Sequence, residues 1–235
     1  MKLNADKLRK RLSHYSVSAM EASGAWGKKR RLAAAMRRVI DLLVQSNAPE
    51  DELEQAAIAL ERYGDRLESH PKGHKYEGFA ETSNAGTPNA FFDQSPIIGL
   101  ANPLAPPLEL RAEEDKVHGT ANFGAAYEGP PGCVHGGWVA AAFDELLGFA
   151  QTLTGNPGMT GTLNVVYRRP TPLKTDLRFE ARVDRVEGRK IFAVGQLFAG
   201  DQLTAEATGI FISFKGDKFQ ELIKLRQDRQ AKASE

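Results

Sequence analysis

The stretch GCVHGGWVAAAFDELLGFA, residues 132–150, decides the fold, because it reads as a helix made for a protein interior and yet carries two acids. After His135 and two glycines the chain is apolar, and the apolar run resumes after Asp144 and Glu145. A carboxylate taken out of water is costly unless it is paired or its pKa shifts. The pattern therefore predicts a long helix that begins near Gly136 and carries an acid for a chemical reason.

Helical periodicity separates the two acids. At about 3.6 residues per turn, Asp144 shares its face with small residues, namely Gly137, Ala140 or Ala141, and Gly148. Small residues around an acid leave room for a ligand or a second chain. Glu145 is rotated by about 100° and is expected to reach solvent or a partner more easily.

The start of this helix is suited to negative charge. Free N–H groups and the helix dipole favour an anion there, and Gly136 and Gly137 let an oxygen come close. A carbonyl that becomes an oxyanion would gain about 3 kcal/mol from each good donor. An acid further along the helix could hold water or attack directly, so the stretch predicts a hydrolytic site.

The flanking sequence indicates an antiparallel sheet. LELRAEEDKVHGTANF, from Leu108, predicts two short strands around an acidic turn, and three or four further strands follow the helix from TGTLNVVYRRP onwards. Glu187-Gly188 and Gly200-Asp201 mark turns between them. One apolar helix with a curved antiparallel sheet is an α+β domain, which we expect over residues 108–215.

The remaining segments are an N-terminal helical extension (1–70), a Pro/Gly-rich connection (71–107) and a charged C-terminal tail (216–235) with a short helix. Within the extension, residues 1–45 hold eleven Lys or Arg against three acids, and residues 50–68 hold seven acids against two Arg. Asn47-Ala48-Pro49 predicts a turn between two helices. We expect the basic helix to fold back on the acidic one, rather than to bind a membrane surface or nucleic acid or to act as a transit peptide. The connection is expected to be a lid, an ordered wrap or a linker.

The composition of the chain argues against several classes of protein. The net charge of +1 over 235 residues gives no reason to expect nucleic-acid binding, and no apolar run reaches the roughly 20 residues of a membrane span. The N-terminus has no apolar signal region, and the single cysteine, Cys133, excludes an internal disulfide and a CxxC metal site. A cytoplasmic protein is the simplest expectation.

Three motifs carry a resemblance to a known family. EGPPGCVHGGWVAAAFDELLG, TGTLNVVYRRPTPL and VDRVEGRK together resemble the hotdog-fold acyl-CoA thioesterases, in the PaaI-like branch that includes the human thioesterase superfamily members. The nine-residue spacing from His135 to Asp144 is the specific part. The resemblance covers residues 105–215.

The resemblance implies a hotdog fold, a curved sheet wrapped around one long helix, in a homo-oligomer (a dimer or a dimer of dimers) with active sites at the subunit interface. It implies hydrolysis of an acyl-CoA to free CoA and a carboxylic acid, without a cofactor. The implied catalytic residues are Asp144 as general base or nucleophile, Gly136 and Gly137 at the oxyanion site, His135 as an orienting residue, and Thr160, which positions water from across the dimer. Arg168, Arg169, Arg189 and Lys190 match positions that contact the phosphates of CoA.

One departure concerns carbonyl binding, because some relatives carry an Asn six residues before the histidine, where this chain has Gly129.

Other interpretations of the candidate site residues stay open. Asp144 could pair with an Arg at an interface, Thr160 could merely start a strand, and Arg168 and Arg169 could be edge-strand charges.

A triad of Cys133, His135 and Asp144 contains suitable residue types, but its first two members are near neighbours in one loop. No metal-ligand spacing is present. At the level of function, a hydratase acting on enoyl-CoA and a non-catalytic acyl-CoA sensor remain the alternatives.

Overall fold

The structure, a computed structural model, describes residues 24–70, 93–106, 108–156, 158–213 and 224–225. The predicted C-terminal helix and tail, apart from two helical residues, and most of the 71–107 connection lie outside the described residues. No helix in the described part of the chain is both long and apolar enough to cross a membrane.

Six antiparallel strands form one sheet in the order β1-β2-β4-β5-β6-β3. The strands are β1 (Leu108–Glu113), β2 (Lys116–Ala121), β3 (Gly158–Tyr167), β4 (Leu177–Glu187), β5 (Lys190–Ala199) and β6 (Gln202–Ser213). The predicted turns are confirmed, since Gly188 and Gly200 have φ of 59° and 57°, which glycine adopts at no steric cost. Strand β3 follows the helix in sequence and occupies one edge of the sheet.

One apolar helix fills the sheet. We number it α3 (Gly136–Thr152), after two N-terminal helices, and it contacts all six strands. Phe143, Leu146 and Leu147 are fully buried, and the Phe143 ring meets that of Phe179 edge to face at 5.8 Å. The predicted α+β architecture and the hotdog arrangement implied by the resemblance are confirmed.

The N-terminal helices are α1 (Gly24–Leu43) and α2 (Glu50–Glu68), with Pro49 as the N-cap residue of α2. Helix α1 is bound to the domain through polar groups. Arg30 Nη2 contacts Asp93 Oδ1 at 2.8 Å and Nε contacts Oδ2 at 2.6 Å, while Trp26 donates to the same carboxylate, which is fully buried.

Two further anchors lie along α1. Arg37 donates to the carbonyl oxygens of Asn102 at 2.7 Å and Leu100 at 3.2 Å. Asp41 accepts from the Ala126 N–H at 3.2 Å. Helix α1 thereby holds the segment over residues 93–106 against the domain. Ile98, which belongs to this segment, is buried in the hydrophobic core.

The expected pairing of α1 with α2 in one chain is wrong. Among the described residues no hydrogen bond or ion pair joins the two helices, and α2 has no buried residue. The physical reason is that Arg30 and Arg37 are engaged by the domain itself, and the residues after α1 are tied down as well. Gln45 binds the Asp41 carbonyl at 2.8 Å and accepts from Lys174 Nζ at 2.8 Å.

Candidate active site

The two reactive side chains of the site meet within one chain. Thr160 Oγ1 donates to Asp144 Oδ1 at 2.8 Å, and both residues are exposed. The resemblance implied that Thr160 would come from across a dimer, whereas here it reaches Asp144 from the same chain. The contact sits at a β-bulge, because Thr160 pairs with Phe211 and Thr162 with Ile210, which leaves Gly161 as an extra residue. Bulges redirect side chains in this way beside functional sites.

The site faces an open edge of the sheet. Strand β3 has β6 on one side and no strand on the other within the described residues. The small-residue face of α3 is outward as well, with Gly137 and Asp144 exposed. An edge strand presents unpaired N–H and C=O groups that a second chain can bind.

The loop before α3 is rigidly braced. Cys133 N donates to the Pro130 carbonyl at 2.9 Å and Gly132 has φ of 72°, the features of a type II turn. His135 N donates to the Tyr127 carbonyl at 2.9 Å, and the Tyr127 ring meets that of Trp138 edge to face at 5.0 Å. This bracing fixes where the first N–H groups of α3 point.

His135 caps the helix that it precedes. Its Nδ1 accepts from the Gly137 N–H at 3.0 Å, so the proton of the neutral ring is on Nε2. The Gly136 N–H has no acceptor within the described chain, while the Gly136 carbonyl accepts from the Tyr167 hydroxyl at 2.8 Å. Of the two glycines expected at the oxyanion site, Gly136 therefore has the available donor.

Gly129 leaves no space for the Asn side chain considered above for this position. A Cβ at this position would lie 2.7 Å from His135 Cα. Real Cβ contacts are not that short, so an Asn would displace the backbone of His135. The loop is thus built around a glycine at this position, which offers no side-chain amide to a substrate carbonyl.

The expectation that Glu145 reaches solvent is wrong. It is only partly exposed, and Ser95 Oγ lies 3.5 Å from its Oε2. Burial, followed by the neighbouring Asp144 charge, raises the pKa of Glu145 from its ordinary value of 4.5 to about 7, while the Ser95 contact acts in the opposite direction. The exposed acid of the pair is Asp144, and the shielded acid is Glu145.

Helix geometry sets a limit on what one chain can do. Gly136 and Asp144 are eight residues apart, which is about 12 Å along the axis of an α-helix. An oxyanion donor and the group that delivers water must each lie about 3 Å from atoms of the same reacting carbonyl. The Gly136 N–H and the Asp144 carboxylate of one chain are too far apart to act on one substrate together.

Comparison with known proteins agrees with this architecture. The model of the family described as "Thioesterase superfamily" matches residues 131–206. A crystal structure of a thioesterase superfamily protein is 31% identical, with a TM-score of 0.75, over 88% of this chain and 99% of that chain. The chain belongs to the thioesterase superfamily.

The chain is also similar to curated proteins that are named as acyl-coenzyme A thioesterases. Acyl-coenzyme A thioesterase THEM4 of Bos taurus is 37% identical over 97 residues, which are 40% of this chain and 40% of that protein. Acyl-coenzyme A thioesterase THEM5 of Homo sapiens is 30% identical over 94 residues, which are 39% of this chain and 38% of that protein. The matched region thus spans about two-fifths of the length of these curated relatives.

The four predicted CoA-binding residues do not come together in one chain. Arg168 and Arg169 follow the end of β3, where Tyr167 pairs with Ala205, and Arg168 forms an ion pair with Glu206. Arg189 and Lys190 lie at the other end of the sheet, where Lys190 pairs with Ile212. Nine residues of β5 separate the two ends, which is roughly 30 Å at about 3.3 Å per residue.

Sequence reasoning missed three contributors to this thioesterase superfamily site. Tyr167, within the NVVYRRP motif, donates to the Gly136 carbonyl. Ser95 and Glu145, which contact each other, were given no role from the sequence. Only the tyrosine carried a signal, because an exposed aromatic beside two arginines at a strand end is unusual for a solvated edge. No described group of three or more His, Cys, Asp or Glu side chains is arranged to hold a metal ion.

Proposed function

We propose that this chain hydrolyses acyl-CoA thioesters to free CoA and a carboxylic acid, at sites that two copies of the chain build together. The observation that carries the proposal is the hydrogen bond of 2.8 Å from Thr160 Oγ1 to Asp144 Oδ1 on the open side of α3. Support comes from the superfamily and from the acyl-CoA thioesterase names of the curated relatives.

In this reaction Asp144 acts as general base or as nucleophile. As base, it takes a proton from water while the water oxygen bonds to the thioester carbon. The Thr160 oxygen, whose hydrogen is directed at Asp144, has lone pairs free to accept from that water. The tetrahedral intermediate then collapses, the carbon–sulfur bond breaks, and the CoA thiolate takes the proton from Asp144. As nucleophile, Asp144 bonds to the carbon itself, the carbon–sulfur bond breaks and CoA leaves as thiolate, and water later hydrolyses the mixed anhydride to release the carboxylic acid and restore the Asp144 carboxylate.

Gly136 of the partner subunit supplies the oxyanion donor in this proposal. The N–H of Gly136 has no acceptor among the residues that the structure describes, and it is about 12 Å along the helix from Asp144 of its own chain. In the proposed dimer, two chains meet at their β3 edges and are related by a two-fold axis. The two β3 strands are then antiparallel, and so are the two α3 helices. The start of one helix then approaches the Asp144 region of the other, so that each site draws on both chains.

The same symmetry accounts for the four basic residues. In an antiparallel pairing of β3 edges, the end of β3 in one chain meets the beginning of β3 in the other. Arg168 and Arg169 of one chain then approach the end of the sheet that carries Arg189 and Lys190 in its partner. One basic cluster per site is suited to the phosphates of CoA. The proposal includes a cytoplasmic location, where the free thiol of Cys133 stays reduced.

The experiment is release of free thiol from a panel of short, long and aromatic acyl-CoAs, with wild type beside Asp144→Asn. We expect turnover by wild type and a loss of about 10² or more in kcat for the variant, with acyl-CoA binding preserved. Wild-type protein that binds acyl-CoA without releasing thiol would overturn the proposal in favour of a sensor. Hydration of an enoyl-CoA without thiol release would favour the hydratase alternative.

A further inference from the structure

Helix α1 binds the domain with its polar side and turns its apolar side outward. Arg37 and Asp41 are engaged by the domain, and Val39 and Leu43 each stand two residues further on, about 200° around the helix. Val39 is 48% exposed and Leu43 is 57% exposed. Amphipathic helices on a domain surface normally bury the apolar face, so the outward side of α1 is suited to another element.

Helix α2 has an apolar seam that is exposed along its length, and none of its residues is buried. Leu53, Leu60 and Leu67 recur every seven residues, and Ala56 and Tyr63 stand three residues after the first two of them. The three leucines are 42%, 53% and 49% exposed. This a/d spacing is the pattern by which one helix packs along another.

The two exposed faces belong to helices of opposite charge and similar length. Helix α1 has 20 residues with six Lys or Arg and one acid, a net charge of +5. Helix α2 has 19 residues with seven acids and two Arg, a net charge of −5. Both helices are therefore about 30 Å long, and their charges cancel when they lie together.

Pairing within one chain is opposed by the residues that join the helices. Gln45 is held between Asp41 and Lys174, and the Ala48 N–H donates to Ser46 Oγ at 3.0 Å. These contacts fix the turn between α1 and α2, and among the described residues no hydrogen bond or ion pair joins the two helices. A second copy of the chain offers the same two faces without that restriction.

We propose that α2 of one chain packs along the outward apolar face of α1 in a second copy of this chain, reciprocally. The surface consists of Val39, Leu42 and Leu43 on α1 and the Leu53, Leu60 and Leu67 seam on α2. It is distinct from the β3 edge, so it adds a second contact between copies or joins one dimer to another.

Cross-linking between two tagged chains tests the exchange. Both chains carry Cys133→Ser; one also carries Val39→Cys and the other Leu60→Cys, and the two are co-expressed with different tags. A bis-maleimide that spans about 10 Å, the separation of packed helix axes, is expected to give a species with both tags. The matched control is Ile58→Cys, which is 36% exposed on the opposite face of α2 and is expected to give little of that species.

Three results would overturn the inference. They are no species with both tags, equal yields from Leu60→Cys and Ile58→Cys, and a cross-link that forms only within a single chain carrying Val39→Cys and Leu60→Cys. A second readout uses no cysteine. Leu60→Gln is expected to raise the concentration at which the assembly dissociates by about tenfold or more, while Ile58→Gln leaves it unchanged. Equal effects of the two glutamine variants would also contradict the exchange.

Discussion

Thr160 Oγ1 donates a hydrogen bond to Asp144 Oδ1 at 2.8 Å within a single chain, from a bulged strand to the open face of the central helix. Among the described residues, nothing else is hydrogen-bonded to the second Asp144 carboxylate oxygen or to the Thr160 hydroxyl oxygen. In the proposed reaction this contact orients the carboxylate before substrate arrives, so that no side-chain movement is needed during the chemical step.

Removal of the Thr160 hydroxyl is expected to lower kcat more than it raises KM. Thr160→Ala should lower kcat by about ten- to a hundredfold, and Thr160→Ser should retain most of it, because serine keeps the hydroxyl. The measurement is steady-state thiol release with the best acyl-CoA of the panel. Thr162→Ala, on the same strand, is the control and should stay close to wild type. Equal losses in the two alanine variants would mean that the strand, not the hydroxyl, matters.

Gly129→Ala is expected to disturb the loop that carries His135. The new Cβ would lie 2.7 Å from His135 Cα, so the backbone must move and take the start of α3 with it. We expect a loss of about 1–3 kcal/mol in the free energy of unfolding together with lower kcat/KM. Gly64→Ala, which meets nothing within 4 Å on α2, should be neutral or stabilising. Full activity of Gly129→Ala would contradict the expected displacement of this loop.

Glu145 is expected to make folding stability depend on pH. Its pKa is about 7 in the folded chain and 4.5 ordinarily, so between these values the folded state binds more protons than the unfolded state. Stability therefore falls as pH rises from about 4.5 to 7, and the loss is complete above 7. Glu145→Gln removes the titration and should be the more stable protein above pH 7. Urea unfolding at pH 5 and pH 8 measures this. An unchanged pH dependence in the variant would contradict the assignment.

The buried pair of Arg30 and Asp93 is expected to hold the N-terminal helix on the domain. Arg30 is 15% exposed and Asp93 is fully buried, so Asp93→Asn removes a buried carboxylate charge that Arg30 contacts through two nitrogen atoms. Loss of one partner from a buried pair costs about 3 kcal/mol or more. The exposed pair of Arg178 and Glu180 supplies the control, because Glu180→Gln should cost less than about 1 kcal/mol. Similar midpoints for both variants in urea would argue against the anchor.

Much of the architecture follows from local patterns. Alternation located the strands, Gly188 and Gly200 located two turns, and the apolar run located α3 from Gly136. These features are encoded by neighbouring residues, and so the sequence is sufficient to predict them. Of the two acids on α3, Asp144 lies exposed on the small-residue face as predicted, whereas Glu145 is only partly exposed.

The predictions that were wrong concern contacts between residues far apart in the chain. Glu145 is shielded by a segment that contains Ser95, fifty residues earlier, which helical periodicity cannot report. The cis pairing of α1 and α2 was inferred from their charges alone. The buried Asp93 and two backbone carbonyls bind Arg30 and Arg37 instead, and such competitors carry no local pattern. Arg168 and Arg189 lie at opposite ends of the sheet, which is set by the pairing of β3, β6 and β5 and not by the sequence around either residue.

Mixed dimers test most directly whether each site combines Asp144 of one chain with the Gly136 N–H of the other, as proposed. Gly136→Pro removes only the N–H, because proline suits the first position of a helix and His135, with φ −58° and ψ 131°, tolerates a following proline. Gly136→Ala keeps the N–H and places its Cβ 3.4 Å from the Tyr167 ring, so it serves as the control.

Asp144→Asn and Gly136→Pro should each be nearly inactive alone, and Gly136→Ala should retain activity. Co-expression of the two inactive chains should restore about one quarter of wild-type activity, because half of the dimers are mixed and each mixed dimer has one intact site. Mixed dimers confirmed by mass but no more active than their parents would contradict a shared site.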